Sequence, residues 1–216
     1  MYDFPKHGAE KFSLIKQKHK GSNTLDSYGS KKNGFFACGF RIARKAADDT
    51  RGIQGLTFVF CDISDEERDP STVREVVVAL PKVKDNKLRW TTLAGDDDTI
   101  CPSGQFISWM DVGHFEPTFE KDRGLSKIDF KCSEVEKNLS RSTEDLWSYD
   151  IKPAYSLHEF ESLRDDKSKM QNTPLDLAGR RKLIFGAQVM SDMDNKNIVG
   201  IDGLSVFFRN ADYFPN

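Results

Sequence analysis

Gly52-Ile53-Gln54-Gly55-Leu56-Thr57-Phe58-Val59-Phe60 returns as Gly124-Leu125-Ser126-Lys127-Ile128-Asp129-Phe130, and again as Gly200-Ile201-Asp202-Gly203-Leu204-Ser205-Val206-Phe207-Phe208. The leading glycines are 72 and 76 residues apart in a chain of 216. A fixed period of that size predicts three comparable structural units. Within each copy the apolar side chains alternate: Leu56, Phe58, Phe60; Ile128, Phe130; Leu204, Val206, Phe208. A period of two places them on one face of a sheet, which must be the core face.

Working outward, each copy is preceded by an apolar, strand-length run. The three runs are Phe35–Ala43, Gln105–Met110 and Lys182–Met190. Polar loops separate each run from its glycine-led partner: Arg44–Arg51, Asp111–Thr118 and Ser191–Asn197. If the units are related by pseudo-symmetry, all three loops emerge at one end. Further strands are expected at Lys11–Lys16, Val73–Leu80, Lys87–Thr92 and Asp145–Ile151. Gly21–Asn33 and Asp62–Thr72 read as polar connectors, and Ser156–Met170 as a short helix or an extended loop. No linker divides the chain, so the expectation is a single all-β domain over 1–216, with approximate repeats 1–70, 71–142 and 143–216.

Composition supports sheets and narrows the partners. Sixteen Phe favour pleated surfaces. Lys+Arg 32 against Asp+Glu 34 leaves a net charge of -2, which gives no general attraction to nucleic acid or anionic membrane. There is no run of about 18 apolar residues to span a bilayer. The start, Met1-Tyr2-Asp3-Phe4-Pro5-Lys6, lacks the character of a signal peptide. An intracellular protein or a mature form are both compatible with that, and the mature form is preferred.

The four cysteines, Cys38, Cys61, Cys101 and Cys132, contain no C-x-x-C pair, which argues against zinc. The repeat favours Cys38–Cys61 and Cys101–Cys132, because each pair then falls within one unit. Two disulfides imply an oxidising compartment; four buried free thiols are the alternative. The histidines (His7, His19, His114, His158) show no ligand spacing, and no Gly-x-Ser-x-Gly elbow occurs. Adjacent acids such as Asp48/Asp49 and Asp96/Asp97/Asp98 point apart on a strand, so catalysis by paired carboxylates is not expected. Asp192-Met193-Asp194-Asn195-Lys196-Asn197 has alternating oxygen ligands, yet lacks the glycine and glutamate of a calcium loop and reads as a polar turn. No metal or cofactor is expected.

Two stretches carry a family resemblance. Asp96-Asp97-Asp98-Thr99-Ile100-Cys101-Pro102-Ser103-Gly104-Gln105-Phe106 is similar to the Cys-Pro-x-Gly-x-Phe lead-in of the vitelline membrane outer layer proteins. Gly39–Arg44, then Ala47-Asp48-Asp49-Thr50, then Gly52–Phe58 with Cys61 in the closing place, resembles that family's strand, loop and cysteine-ended strand. The third unit, Gly186–Phe208, keeps the shape without the cysteine or the Asp-Asp-Thr. The resemblance implies a β-prism: three antiparallel sheets with three-fold internal pseudo-symmetry, normally in a secreted protein. Other β-prisms act as lectins or as membrane-recognition modules of perforin-like toxins.

The expected function is therefore non-enzymatic: a secreted, structural or carbohydrate-binding component of an extracellular layer, with a glycan or matrix component as partner and no nucleic acid. Candidate ligand-binding residues are Asp48, Asp49, Trp109, His114, Phe115, Phe119, Asp192 and Asp194. Trp109, Phe115 and Phe119 are the aromatic ones, suited to stacking on a sugar ring or entering a membrane interface. The alternatives are a membrane-recognition module or partner of a pore-forming toxin, using a membrane surface or a larger assembly, and a carbohydrate-active enzyme. Asn138-Leu139-Ser140 is an N-glycosylation triplet in a polar stretch.

Overall fold

Three long antiparallel hairpins organise the chain, and each is built on one copy of the repeat. The computed structural model describes residues 9–15, 23–29, 34–44, 53, 55–65, 74–79, 89–90, 100–115, 124–143, 146–154, 157–161, 170–194 and 197–213. Among these there are fourteen strands, two short 3₁₀ turns and no α-helix. The strands are β1 (Glu10–Ile15), β2 (Asn23–Gly29), β3 (Phe35–Arg44), β4 (Gly55–Asp62), β5 (Arg74–Ala79), β6 (Arg89–Trp90) and β7 (Gln105–Phe115). They continue as β8 (Gly124–Asn138), β9 (Trp147–Ile151), β10 (Leu157–Glu161), β11 (Met170–Asp176), β12 (Lys182–Asp194), β13 (Asn197–Asn210) and β14 (Asp212–Tyr213).

The hairpins β3–β4, β7–β8 and β12–β13 each sit at the centre of a separate antiparallel sheet. The orders are β5-β4-β3-β6, β11-β7-β8-β9-β14 with β10 also on β8, and β1-β13-β12-β2. Sheet 1 has the Greek-key order 4-1-2-3, with β5 on the second arm of its hairpin and β6 on the first. Sheets 2 and 3 repeat the arrangement with β9 and β11, and with β1 and β2, while β10 adds to β8 and β14 to β9. Sheet 1 is drawn from 35–100, with Ile100 bridging Gly39, and the main strands of sheet 2 from 105–176. Sheet 3 takes its hairpin from 182–210 and is completed by β1 and β2 from the other end of the described chain. The fold is the three-sheet β-prism.

The pseudo-symmetry extends to single residues. Each hairpin has a bulge in its first arm at the same place: between Ala37 and Gly39, between Ile107 and Trp109, and between Ile184 and Gly186. The bulged residues Cys38, Ser108 and Phe185 are therefore equivalent, as are the second-arm residues Cys61, Ser133 and Arg209. Each pair is joined by different chemistry. Cys38 and Cys61 form a disulfide with Cα atoms 5.9 Å apart. Ser108 and Ser133 share a buried hydroxyl hydrogen bond of 2.5 Å. The Arg209 guanidinium lies 4.8 Å from the Phe185 ring centre and 5.3 Å from that of Phe36. Burial lowers the Arg209 pKa from its ordinary value, with the Asp212 carboxylate opposing the shift.

The residue before each first arm has a positive φ: Gly34 at 82°, Gly104 at 72° and Arg181 at 55°. Glycine adopts this left-handed conformation freely, whereas a side chain raises its energy. Gly34 is doubly constrained, because the Tyr213 ring packs where its Cβ would be.

Alternation places the two arms' apolar residues in a core shared by all three sheets. It includes Phe40, Phe58 and Phe60 from sheet 1, Met110, Ile128 and Phe130 from sheet 2, and Ile184, Val206 and Phe208 from sheet 3. Phe40 packs edge-on against Phe58 at 4.6 Å and Phe130 at 5.2 Å. The second disulfide, Cys101–Cys132, takes the core position held by Phe60 and Phe208 in the sister sheets. Both expected pairings form, and no cysteine is free. Backbone bonds then tie sheet to sheet: Cys101 N–H donates to the Cys38 carbonyl (2.7 Å) and Leu177 N–H to the Ser108 carbonyl (2.8 Å).

Several local expectations need correction. Gly21–Asn33 contains strand β2, and Ser156–Met170 contains strand β10 rather than a helix, because both are claimed by edges of the central hairpins. The loops expected at Asp111–Thr118 and Ser191–Asn197 are shorter, since β7 runs on to Phe115 and β12 to Asp194.

Two outcomes follow. The double change Ser108→Cys with Ser133→Cys should oxidise to a third disulfide, seen as the loss of two hydrogens in a non-reduced mass, and raise stability by roughly 3 kcal/mol in urea unfolding. Arg181→Gly should stabilise by about 0.5–1 kcal/mol by relieving its left-handed backbone, while Gly104→Ala should destabilise by about 1 kcal/mol or more.

Candidate functional site

The bulge alignment also pairs the residues that follow it, on the face opposite the core. Sheets 1 and 3 carry glycine there, Gly39 and Gly186, opposite Val59 and Phe207. Sheet 2 carries Trp109 opposite Lys131. The largest side chain thus stands where its two counterparts have none. Trp109 is half-buried, and the Lys131 ammonium lies 4.7 Å from its ring centre. Such a cation–π contact contributes about 0.5–1 kcal/mol at a partly exposed site.

A groove of about 440 Å³ opens beside this pair. Its walls are Trp109 and Lys131 on the central hairpin, Ile151, Pro153 and Ala154 at the end of β9, and Asp176, Ala178 and Gly179 at the end of β11. Topology fixes the assembly. Asp176 is the register partner of Trp109, so β11 places it beside the tryptophan on the groove's wall. The Asp176 carboxylate then accepts from the Ala178 N–H (3.1 Å), which holds the turn over Ala178–Arg180 against the rim. Ile151 is brought in because β9 pairs with the far half of β8, Val135 opposite Ile151. The groove therefore combines one aromatic face, an apolar wall, one carboxylate and one ammonium.

Next along the same face, Asp111 lies opposite Asp129. Asp129 is only 3% exposed and is ion-paired with Lys127 on its own strand. The sister sheets place Arg41 opposite Thr57 and Gln188 opposite Ser205 here, so sheet 2 is the acidic one. A buried carboxylate left without its cation is costly. Among the described residues no group of three or more His, Cys, Asp or Glu is arranged to hold a metal.

Of the residues expected from sequence, Trp109 alone lines this groove. His114 is half-buried on β7, five residues further on, between Leu125 and Gln171 in register. Phe115 ends β7 opposite Gly124 and Met170. Asp192 and Asp194 lie on β12 in sheet 3, opposite Gly200 and Asn197. The side chains of Phe115, Asp192 and Asp194, and all of Asp48, Asp49 and Phe119, lie outside the described residues. Lys131 and Asp176 were not anticipated. Aligning the three copies one strand earlier, at Gly39, Trp109 and Gly186, was the signal available for Lys131; Asp176 is recruited by strand pairing.

Removing the Lys127 ammonium with Lys127→Met should lower unfolding free energy by roughly 2–4 kcal/mol. Adding Asp129→Thr, the residue sheet 1 carries at this place, should recover most of that loss in a double-mutant cycle.

No family model matches the chain, and no curated protein sequence matches it. Solved structures do match. The Calystegia sepium agglutinin is similar over 96% of this chain and 99% of its own, at 10% identity and a TM-score of 0.48. A mannose-binding jacalin-related lectin from Ananas comosus matches over 94% of this chain and 99% of its own, at 9% identity and a TM-score of 0.45. The mosquito-larvicidal Cry4Aa toxin from Bacillus thuringiensis matches over 92% of this chain and 33% of its own, at 12% identity and a TM-score of 0.47. At these scores the likeness does not place the chain in a family.

Proposed function

We propose that this is a non-enzymatic, glycan-binding β-prism protein of an extracellular layer, distantly related to the vitelline membrane outer layer proteins, and that its ligand sits in the Trp109 groove. The observation that carries the reading is the single-sheet replacement of glycine by Trp109 on a face where the fold does not require a side chain. Core positions are similar in the three sheets because packing constrains them. Trp109, half-buried off the shared core, is less bound by that constraint, and there it is accompanied by a groove.

The chemistry of the walls matches a sugar. A pyranose presents an apolar face of C–H groups, which stacks on an indole, and an edge of hydroxyls that both donate and accept. Asp176 accepts from such hydroxyls, and Lys131 donates to them. The two closed disulfides support folding in an oxidising compartment, and so an extracellular location.

Trp109→Gly installs the residue of the sister sheets and is expected to leave the fold intact. A glycan array probed with wild type and Trp109→Gly should show signals that the variant loses by at least tenfold, with far-ultraviolet circular dichroism unchanged. Equal array signals from the two proteins would remove the groove as the binding site.

A further inference from the structure

In the Asn138-Leu139-Ser140 triplet, at the end of β8, Asn138 is half-buried and the next two residues are exposed. We infer that Asn138 carries an N-linked oligosaccharide, attached at its side-chain Nδ2. The inference rests on the reading that the chain folds in an oxidising secretory compartment.

The local geometry fits an attached sugar in three ways. Asn138 caps a 3₁₀ turn over Leu139–Arg141, and its Oδ1 accepts from the Ser140 N–H (3.1 Å) and the Ser140 hydroxyl (2.6 Å). The required hydroxyl residue is thus bonded to the acceptor amide itself, and the side chain is held in one orientation. Second, Nδ2 donates to Asp150 Oδ2 (2.7 Å). A primary amide has two N–H groups, and a glycosylated one keeps one, so this bond survives modification. Third, the surroundings are open: Ser140 and Arg141 are exposed, and Leu139 is 80% exposed, the one large apolar side chain so exposed among the described residues. A branched sugar on the preceding residue would shield Leu139 from water. Asn138 is seven residues beyond Lys131 on β8, about 23 Å along an extended strand, so the sugar leaves the Trp109 groove accessible.

The reaction needs a lipid-diphosphate-linked oligosaccharide as donor. The Asn138 Nδ2–C1 bond forms as the C1–oxygen bond to the diphosphate breaks. The lipid diphosphate leaves with the bonding electrons, and one Nδ2 proton is lost. No oxidation state changes.

The test is the intact, non-reduced mass of the full chain recovered from a secretory eukaryotic host, before and after peptide N-glycosidase. The expected result is one added oligosaccharide, removed by the enzyme with conversion of Asn138 to Asp, retained in Ser140→Thr and absent from Ser140→Ala and Asn138→Gln. A chain with both disulfides closed and no sugar would overturn the inference while leaving the compartment reading intact. Free thiols without sugar would overturn both.

Discussion

The constraint on which the rest depends is the bulge in the first arm of each hairpin. One extra residue there shifts the side-chain alternation, so that the arm packs on the shared core on both sides of the bulge while its edge turns to meet the next unit. The carbonyl of the bulged residue in sheets 1 and 2 accepts a backbone bond from the segment that enters the following hairpin. Sheet-to-sheet attachment and core packing are therefore set at the same residue. That position carries a disulfide, a serine pair or an arginine–phenylalanine stack, each joining the bulged residue to the equivalent residue of the adjacent strand.

Closure is the second constraint. Sheet 3 lacks its third and fourth strands in sequence order and takes them from β1 and β2. The ends of the described chain are thereby interleaved, with β13 hydrogen-bonded to β1 and β14 to β9 of sheet 2. Tyr213 packs on Gly34 and lies 5.9 Å from the Trp147 ring, so the last strand is pinned at the entry to the first hairpin. Long-range pairing of this kind couples the three sheets into one cooperative set of contacts.

The hairpin arms were legible in the sequence because their signal is local: Leu56-Phe58-Phe60 and its copies alternate and repeat. The cysteine pairing was legible because the repeat groups the cysteines. Strands β2, β10 and β11 were not, since polar edge strands owe their pairing to a neighbour far away in the chain rather than to their own pattern. Site residues followed the same division. Trp109 stood out as an aromatic residue next to a predicted loop, whereas Asp176 becomes its neighbour only through the β7–β11 pairing. The first part of the expected loop, Asp111–Phe115, proved to be strand, since β11 offers it a partner as far as Phe115.

Likeness between the copies thus follows the core, and the proposed site lies where they diverge. Sheet 2 departs from its sisters in a Trp–Lys contact and in a pair of facing aspartates beside it, Asp111 and the buried Asp129. The most direct measurement is a ¹H–¹⁵N titration of the labelled protein with oligosaccharides selected on a glycan array, following the indole N–H signals of Trp90, Trp109 and Trp147. The Trp109 indole should shift together with the backbone amides of Lys131, Asp176, Ala178 and Gly179, while the other two indoles stay in place. Saturable binding that leaves Trp109 and these amides unmoved would contradict it.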